Sequence, residues 1–389
     1  MAAVITLAFW LALGVILYVY AGYPLLIALA ARTRPRPSPP KISGDAWPRL
    51  AVLIPACNEE RWVARKIENS LALDYPAGRL RIVMASDGST DRTEEIARTY
   101  ASRGVDVISF PTRQGKQEVL NRVIPQLSEE FILLTDANAL LAPQTARSMA
   151  RHFADPLVGC VAGRRVCAVQ EKSAPSAGES LYWRYDSWLK ANETRFRSCT
   201  CADGQIYAVR RAAVVRVEKG GEDFFIPMTM VARGLRIVFD PEALAVVPAA
   251  SGFASEFRRK VRSHTSFLLN AWKLRGLLVP GRSSVWWQLL SHHVLRMAVP
   301  PAMAILAVAS AVLAAANPFY RAMLFAQIAF YALAGAGYLL ARAGRRPKLF
   351  YVPFYFTFAQ LALGVAWLAW MGGRRDFAWQ RTERLLDAN

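Results

Sequence analysis

The chain has 389 residues, of which 54% are hydrophobic, and its formal net charge is +19 at pH 7. The length allows two or more structural units, and the apolar fraction is high for a purely soluble protein. Basic residues gather beside apolar segments rather than in an aromatic-interleaved stripe, which disfavours nucleic acid as a partner. The four histidines form no cluster and the five cysteines lack zinc-ligand spacing, which disfavours a metal site built on these residues.

Apolar segments at both ends of the chain predict membrane anchoring. Residues 4–31 contain no charge, are long enough to cross a bilayer and lack the cleavage site of a signal peptide. Further apolar runs occupy residues 293–316, 319–341 and 349–371. Six regions are therefore predicted: an anchor over 1–32, a Pro-rich linker over 33–48, a globular domain over 49–255, an amphipathic interfacial segment over 256–290, three membrane segments within 291–373 and a basic tail over 374–389.

The distribution of Lys and Arg around these segments predicts their orientation. The arginines after the first segment place the globular domain in the cytoplasm, and the basic residues within 342–348 fall on the same side if the segments alternate. If residues 349–371 also cross the membrane, the basic tail lies on the non-cytoplasmic side, which contradicts the preference of Lys and Arg for the cytoplasmic side. Pro353 is compatible instead with a re-entrant or interfacial segment, so both arrangements stay open.

Strand and helix patterns alternate over much of the globular domain. This alternation predicts βαβ units and an α/β fold with a mostly parallel sheet and right-handed crossovers. Strands are predicted over residues 50–54, 80–85, 105–109, 131–135, 158–163 and 235–239. Helices are predicted over residues 59–73, 92–102, 116–127 and 143–153.

The most informative stretch is FILLTDAN, in which an apolar strand ends just before Asp136 and Asn138. Ligands of open α/β sheets bind beyond the carboxyl ends of the strands. An acidic residue there, with a second oxygen ligand two positions later, could hold a divalent cation and a diphosphate. Asp136 could instead cap the following helix, since Asp favours such turns.

Two other strands are also followed by polar loops. Asp87 could accept hydrogen bonds from a nucleobase or ribose, and Gly88 permits a tight turn. Asp91 is predicted to N-cap the next helix, with Glu94 completing a capping box. Lys116 opens the third helix, where backbone amides and an ammonium group favour an anion, although a solvated surface lysine is the alternative.

Several motifs taken together resemble a known family. PACNEE, SDGSTDRT, QGKQEVLN and TDAN, followed by CADGQIYAVRR and a GGED segment, are similar in order and spacing to family 2 inverting glycosyltransferases. The resemblance covers about residues 48–265 and implies a GT-A fold, a Rossmann-like α/β domain with a mostly parallel sheet, here flanked by transmembrane helices. Membrane-bound bacterial members have such flanking segments, so a multi-pass location in the inner membrane with a cytoplasmic catalytic domain is expected.

The resemblance also assigns roles to particular residues. Asp223 would be the general base, with Glu222 as a second catalytic residue, because inverting transfer needs a carboxylate to take the acceptor's hydroxyl proton. Asp136 and Asn138 would hold Mg²⁺ or Mn²⁺, and Gly204 and Glu222 would contact the acceptor. The donor site would comprise Pro55, Asn58, Glu59, Asp87, Gly88, Lys116, Asp136 and Arg262. Asp223 could otherwise be an acid favoured at a helix start.

Two departures from the family pattern bear on the expected activity, which is transfer of one sugar from an NDP-sugar, with UDP favoured, to a lipid-linked or glycan acceptor. Asn138 stands where a second Asp is usual, so weaker metal binding is expected. Processive members carry Q-x-x-R-W near the membrane; here Arg262 is kept, but Arg259 and Ser263 replace the Gln and the Trp. A processive polysaccharide synthase is therefore the second functional hypothesis, and a non-catalytic nucleotide-binding membrane scaffold is the third.

Overall fold

The computed structural model describes residues 1–35, 42, 46–167, 176–218, 220–248, 252–345 and 347–373, except the side chains of 176–181. The predicted basic tail and most of the Pro-rich linker lie outside these residues. The strands are β1 (Leu50–Ala56), β2 (Leu80–Asp87), β3 (Val105–Phe110), β4 (Phe131–Leu134), β5 (Leu140–Leu141), β6 (Val158–Cys167), β7 (Tyr207–Arg210) and β8 (Arg236–Val247). The helices are α1 (Ala2–Leu17), α2 (Tyr23–Arg32), α3 (Glu60–Leu71), α4 (Thr93–Arg98), α5 (Lys116–Val123), α6 (Thr145–Ala150), α7 (Ser176–Phe196), α8 (Glu222–Ala232), α9 (Phe253–Lys273), α10 (Trp286–Gln288), α11 (Leu295–Met297), α12 (Val299–Leu313), α13 (Pro318–Arg342) and α14 (Lys348–Met371).

The described strands form one eight-stranded sheet with the order β3-β2-β1-β4-β7-β6-β8-β5. Parallel pairing joins β3, β2, β1 and β4, and it also joins β6 to β8. Only β7 and β5 pair antiparallel with their neighbours in this sheet of described residues. The α/β fold with a mostly parallel sheet is therefore confirmed, and the carboxyl ends of β1, β2 and β4 meet at one edge.

The sequence analysis missed β5 and β7 and ended β8 too early. β5 has two residues and β7 has four, so neither is long enough to show a clear alternation of apolar and polar residues. β8 continues to Val247, past a register shift in its pairing with β6 between Gly163 and Arg164. The irregularity interrupts the strand pattern, which explains why only its first half was predicted.

The capping box predicted around Asp91 is wrong. Helix α4 begins at Thr93, so Arg92 occupies the N-cap position and its side chain makes no capping hydrogen bond. Asp91 lies one residue further out, where its carboxylate accepts the N–H groups of Thr93 at 3.0 Å and of Glu60 at 3.2 Å. Glu94 forms an ion pair within the helix instead. Asp91 therefore ties the starts of α3 and α4 together.

The centre of the sheet is buried on both faces. Ala51 and Leu53 of β1 pack in one apolar cluster, whereas Leu50 and Val52 pack in another. Every residue of β1 and β4 is buried, as expected of strands that are covered on both sides. The polar residues that follow these two strands therefore begin where the buried centre of the sheet ends.

Three of the described helical segments are long and apolar enough to span a membrane. They are Ala2–Arg32, in which a π-helical turn joins α1 to α2, Pro318–Arg342 and Lys348–Met371. The segments Trp286–Met297 and Val299–Leu313 would make a fourth span if this pair, bent by 54°, is taken as one. Helix α14 continues through Pro353, so the chain does not break there. Whether each segment crosses a bilayer stays a prediction.

Helix α9 lies between the sheet domain and α14. The ring of Phe267 lies 4.7 Å from the ring of Phe224 in α8, and the ring of Phe257 lies 5.4 Å from that of Phe358 in α14. The basic segment that was predicted to be amphipathic and interfacial therefore contacts both the sheet domain and a candidate membrane helix. One side of α9 also borders the cavity described below.

Candidate active site

A cavity of about 870 Å³ lies at the carboxyl edge of the central strands. It is lined by the loops after β1 and β4, by the first residues of α5 and α8, and by α9. The predicted site residues in its lining are Pro55, Glu59, Lys116, Asp136, Asn138, Gly204, Glu222, Asp223 and Arg262. The structure thus brings residues from distant parts of the sequence into one cavity.

The other three predicted residues, Asn58, Asp87 and Gly88, are not among the described residues that line the cavity. They support neighbouring loops that do line it. Asp87 is buried at the end of β2, and its carboxylate accepts the N–H groups of Gln114 at 2.6 Å and Gly115 at 2.9 Å. Asn58 accepts a backbone N–H from the loop after β2. Gly88 has a φ of +60° and lies so close to the backbone before α5 that a side chain would clash. Contact of Asp87 with a nucleoside stays a prediction.

Lys116 connects the two sides of the cavity. Its ammonium lies 2.8 Å from Asp136 Oδ1 and 2.6 Å from Glu222 Oε1, and it donates to the carbonyl of Gly204 at 3.2 Å. Burial lowers the pKa of Lys116, but the two carboxylates outweigh this effect and hold the pKa above its ordinary value. Lys116 is therefore a charged residue whose side chain is only 10% exposed, and the alternative of a solvated surface lysine is wrong.

Asp136 and Asn138 fit a divalent cation of the Mg²⁺ or Mn²⁺ type. Asn138 is buried, and its Oδ1 atom has no hydrogen-bond partner among the described residues. The Asp136 side chain is partly exposed and contacts Lys116. Hard cations prefer such oxygen ligands and commonly complete their coordination with water and substrate phosphates. Within the described residues no group of three or more His, Cys, Asp or Glu could hold a metal ion, so water and phosphate oxygens would supply the other ligands.

Lys66 supports the Asp136–Asn138 loop from below, and the sequence analysis missed it. Its ammonium is fully buried and donates to Thr135 Oγ1 at 2.9 Å and to the Ala139 carbonyl at 2.5 Å. Burial lowers its pKa to about 7, although attraction to Asp136 opposes this shift. The sequence does contain a signal for this burial, because Lys66 falls at a position of α3 where helical spacing predicts an apolar residue that faces the core.

The two acids of the GGED segment occupy the first turn of α8. Burial, followed by repulsion from Glu222 and Asp203, raises the pKa of Asp223 to about 7, while Lys116 and the N–H of Gly204 act in the opposite direction. A carboxylate with a pKa near neutrality is well suited to general base catalysis. Asp203, which the sequence analysis did not single out, therefore contributes to the electrostatics of the site.

Hydrogen bonds hold the two glycines before α8. Asn270 of α9 donates to the carbonyl of Gly221 at 3.0 Å, and Gln117 of α5 donates to the carbonyl of Gly220. The φ of Gly220 is +139°, and a side chain at this position would overlap Asn270. Both helices therefore position the first turn of α8, which carries Asp223.

A group of polar and aromatic side chains also lines the cavity. Arg165 stacks on the ring of Trp183, with its guanidinium carbon 3.6 Å from the ring centroid. The same side chain lies 3.3 Å from Asp203 and donates to Gln205 at 2.8 Å. All four residues line the cavity. Ser263 of α9 also lines the cavity, at the position where the processive motif has a tryptophan. The cavity nevertheless has an aromatic lining residue, because Trp183 of α7 contributes one.

Comparison with known proteins identifies a family that matches part of this chain. Residues 51–217 match the model of the family described as Glycosyl transferase family 2. An N-acetylglucosaminyltransferase from Rhizobium sp. (strain N33) is 26% identical over an alignment of 261 residues, and the match covers 63% of this chain and 58% of that protein. A beta-monoglucosyldiacylglycerol synthase from Nostoc sp. (strain PCC 7120) is 29% identical over 185 residues, covering 46% of this chain and 39% of that protein. The chain thus spans less than two thirds of the length of these curated relatives.

A solved structure is similar over a longer range. The mannosyltransferase from Pyrobaculum calidifontis, determined in complex with GDP-Man and Mn²⁺, superposes with a TM-score of 0.70 and 23% sequence identity. The match covers 94% of this chain and 99% of that one. The similarity therefore includes the flanking helices as well as the sheet domain, and it establishes a shared fold.

Proposed function

Residues 51–217 belong to glycosyl transferase family 2, and on this premise we propose that the chain is a membrane-bound inverting glycosyltransferase. It would transfer one sugar from an NDP-sugar to a hydroxyl group of a lipid-linked or glycan acceptor at the cytoplasmic face. One observation carries the proposal: Asp136, on the donor side, and Asp223, on the acceptor side, line the same cavity.

The donor would bind on the side of Asp136 and Asn138. These two residues would hold Mg²⁺ or Mn²⁺, which when bound would neutralise charge on the departing diphosphate. Arg262 lines the same cavity, and its planar guanidinium could bind phosphate oxygens in pairs. The Mn²⁺ and GDP-Man of the solved mannosyltransferase support this assignment.

The acceptor hydroxyl would approach Asp223. As the new bond forms at the face of the sugar opposite the diphosphate, the Asp223 carboxylate would take the hydroxyl proton. The N–H of Gly204 donates to this carboxylate and orients it. Glu222 is paired with Lys116 and is buried, so it is better placed to hold Lys116 than to accept a proton.

Membrane association is supported by the three candidate spans in the described residues and by a relative named for the synthesis of a glucosyl lipid. The names of the relatives include N-acetylglucosaminyl, glucosyl and mannosyl transfer, so they support a hexosyl donor without selecting one. A bacterial inner-membrane location and a cytoplasmic active site remain part of this proposal.

The test uses purified membranes that contain the full chain, incubated with a panel of radiolabelled UDP- and GDP-sugars and a membrane lipid extract. Asp223→Asn should reduce transfer by about a hundredfold to ten-thousandfold, the range typical of a lost general base. Asp106→Asn, which alters an exposed carboxylate of β3 outside the cavity, is the matched control. Undiminished transfer by Asp223→Asn would refute its role as the base.

Product analysis in the same assay separates the alternatives. Addition of a single sugar supports the proposal, whereas repeated addition to one acceptor would indicate a processive synthase. Nucleotide binding without any turnover of the panel would indicate a non-catalytic scaffold.

A further inference from the structure

The ammonium of Lys116 uses all of its hydrogen-bonding capacity on protein groups. A lysine ammonium has three N–H donors. Their partners are Asp136 Oδ1 at 2.8 Å, Glu222 Oε1 at 2.6 Å and the carbonyl oxygen of Gly204 at 3.2 Å. Lys116 can therefore bind a further anion only if it releases one of these three partners.

Asp136 is the partner for which Lys116 has a competitor. Asp136 and Asn138 fit a divalent cation, but their oxygens differ. Asn138 Oδ1 has no hydrogen-bond partner among the described residues, whereas Asp136 Oδ1 already accepts from Lys116. A dication on either oxygen of the Asp136 carboxylate would lie close to the ammonium, and like charges repel each other strongly where little water screens them. We therefore expect the ammonium to leave Asp136 when a cation binds there.

The other two partners of Lys116 lie on the acceptor side of the cavity. Glu222 is the first residue of α8, and the N–H of Gly204 donates to the carboxylate of Asp223. Neither Glu222 nor Gly204 belongs to the proposed metal site, so these two contacts do not compete with the cation. One N–H of Lys116 would thus become available while the other two hold the ammonium in the cavity.

The donor diphosphate is the anion that could accept from this N–H group. Lys116 is the first residue of α5, where the helix N-terminus favours phosphate, and it lines the same cavity as Asp136. A cation on Asp136 would bind phosphate oxygens as well, which places these oxygens beside the ammonium. The four-carbon side chain of lysine is flexible and its three donors rotate, so the ammonium can move from one anion to a neighbouring one.

We propose that Lys116 exchanges one partner when the donor binds: its ammonium leaves Asp136 and donates to the diphosphate, while it keeps Glu222 and Gly204. This inference rests on the proposed glycosyltransferase function and adds a second role for one of its residues. The exchange moves one hydrogen bond and changes no covalent bond. Lys116 thus competes with the metal ion for Asp136 and afterwards links the diphosphate to the first turn of α8.

The exchange predicts opposite effects on two ligands. Lys116→Met removes the charge that competes for Asp136, so Mn²⁺ should bind more tightly in the absence of nucleotide. The same change removes a donor to the diphosphate, so UDP and GDP should bind more weakly in saturating Mn²⁺. If Lys116 only held the surrounding loops in place, its loss would weaken the binding of both ligands.

The experiment measures both affinities with the full chain purified in dodecyl maltoside. The Kd for Mn²⁺ comes from the electron paramagnetic resonance signal of free Mn²⁺, and the Kd for UDP or GDP comes from calorimetric titration in saturating Mn²⁺. Lys116→Met should lower the first Kd about tenfold and raise the second about tenfold or more, the size expected from one charged contact.

Three further variants keep the result interpretable. Lys116→Gln, which retains a polar donor, should give the same two shifts and replaces the methionine variant if that variant does not fold. Lys116→Arg keeps the charge and should leave the Kd for Mn²⁺ within about threefold of the unaltered value. Lys348→Met changes an exposed lysine outside the cavity lining and should alter neither Kd.

The outcomes separate this inference from the proposed function. An unchanged or higher Kd for Mn²⁺ in the neutral variants of Lys116 would overturn the competition for Asp136. An unchanged Kd for the nucleotide would overturn the transfer of the ammonium to the diphosphate. Both results leave the proposed function standing, because Asp223→Asn tests it independently. If the unaltered protein binds neither UDP nor GDP in Mn²⁺, the inference is overturned together with the proposed donor.

Discussion

Lys116 Nζ lies 2.6 Å from Glu222 Oε1, so the first residue of α5 is paired with the first residue of α8. The same ammonium also contacts Asp136, in the loop after β4. The ammonium of Lys116 therefore holds together three segments that come from different parts of the sequence. Through these two contacts Lys116 links Asp136, on the proposed donor side, to Glu222, which directly precedes the proposed base Asp223.

Replacing Lys116 should affect both the rate and its pH dependence. Lys116→Met removes a charge that stabilises the ionised form of Asp223, so the pKa of Asp223 should rise and the remaining activity should require a higher pH. We expect transfer at pH 7 to fall by at least about tenfold. The rate of transfer against pH is the measurement, and Lys273→Met, which changes a lysine outside the cavity lining, is the control. A lower rate with an unshifted pH profile would contradict the electrostatic role.

The pH profile of the unaltered enzyme should reflect the ionisation of Asp223. With a pKa of about 7, this carboxylate is protonated and inactive as a base at lower pH, so kcat/KM for the acceptor should rise with pH through neutrality and then level off. Asp203→Asn removes one of the repulsive charges and should move this rise to lower pH. A shift in the opposite direction, or none, would show that Asp203 does not act on the base.

Asp223 should also lower stability at neutral and alkaline pH. Its folded-state pKa is raised above the ordinary 3.8, so the folded protein binds the proton more tightly than the unfolded chain, and stability is lost as the pH rises between these two values. Asp223→Asn removes the ionisation. Its Tm, followed by tryptophan fluorescence, should therefore exceed that of the unaltered protein by more at pH 8 than at pH 5. An equal difference in Tm between the two proteins at pH 5 and at pH 8 would contradict this prediction.

The sequence predicted the central architecture well because the physical signal there is strong. β1 and β4 are buried on both faces and appear as continuous apolar runs, and the polar residues after them must lie at the same edge. Asp136 and Asn138 could thus be placed from the sequence. β5 and β7 could not be predicted, because strands of two and four residues depend on partners that are distant in the chain.

The electrostatics of the site were less predictable than its location. The sequence places Lys116 at a helix start and predicts an anion nearby, but the anions found there are the carboxylates of Asp136 and Glu222, which only the fold brings together. Lys66 was overlooked because a lysine on a helix is usually solvated, whereas here it is fully buried. Both residues depend on long-range contacts that no local pattern contains.

Restoring the acidic residue of the family motif should strengthen metal binding. Asn138 supplies a buried amide oxygen, whereas a carboxylate would add a negative charge to the same position. Asn138→Asp should lower the Kd for Mn²⁺ by about tenfold, and Asn138→Ala should raise it, because ligand charge is a main determinant of affinity for hard cations. The measurement is the loss of the electron paramagnetic resonance signal of free Mn²⁺ in the presence of nucleotide. Equal affinities in all three proteins would remove Asn138 from the metal site.

Lys66 should determine metal affinity without touching the metal. Its ammonium donates to Thr135 and Ala139, which lie on either side of the Asp136–Asn138 loop. Lys66→Met keeps the length of the side chain but removes both hydrogen bonds, so the loop should be less well positioned and the Kd for Mn²⁺ should rise by about tenfold to a hundredfold, as for other residues that orient metal ligands. Arg65→Met, on the exposed side of the same helix, should leave the Kd unchanged. If Lys66→Met folds with an unaltered Tm and binds Mn²⁺ normally, the loop is held by its other contacts alone.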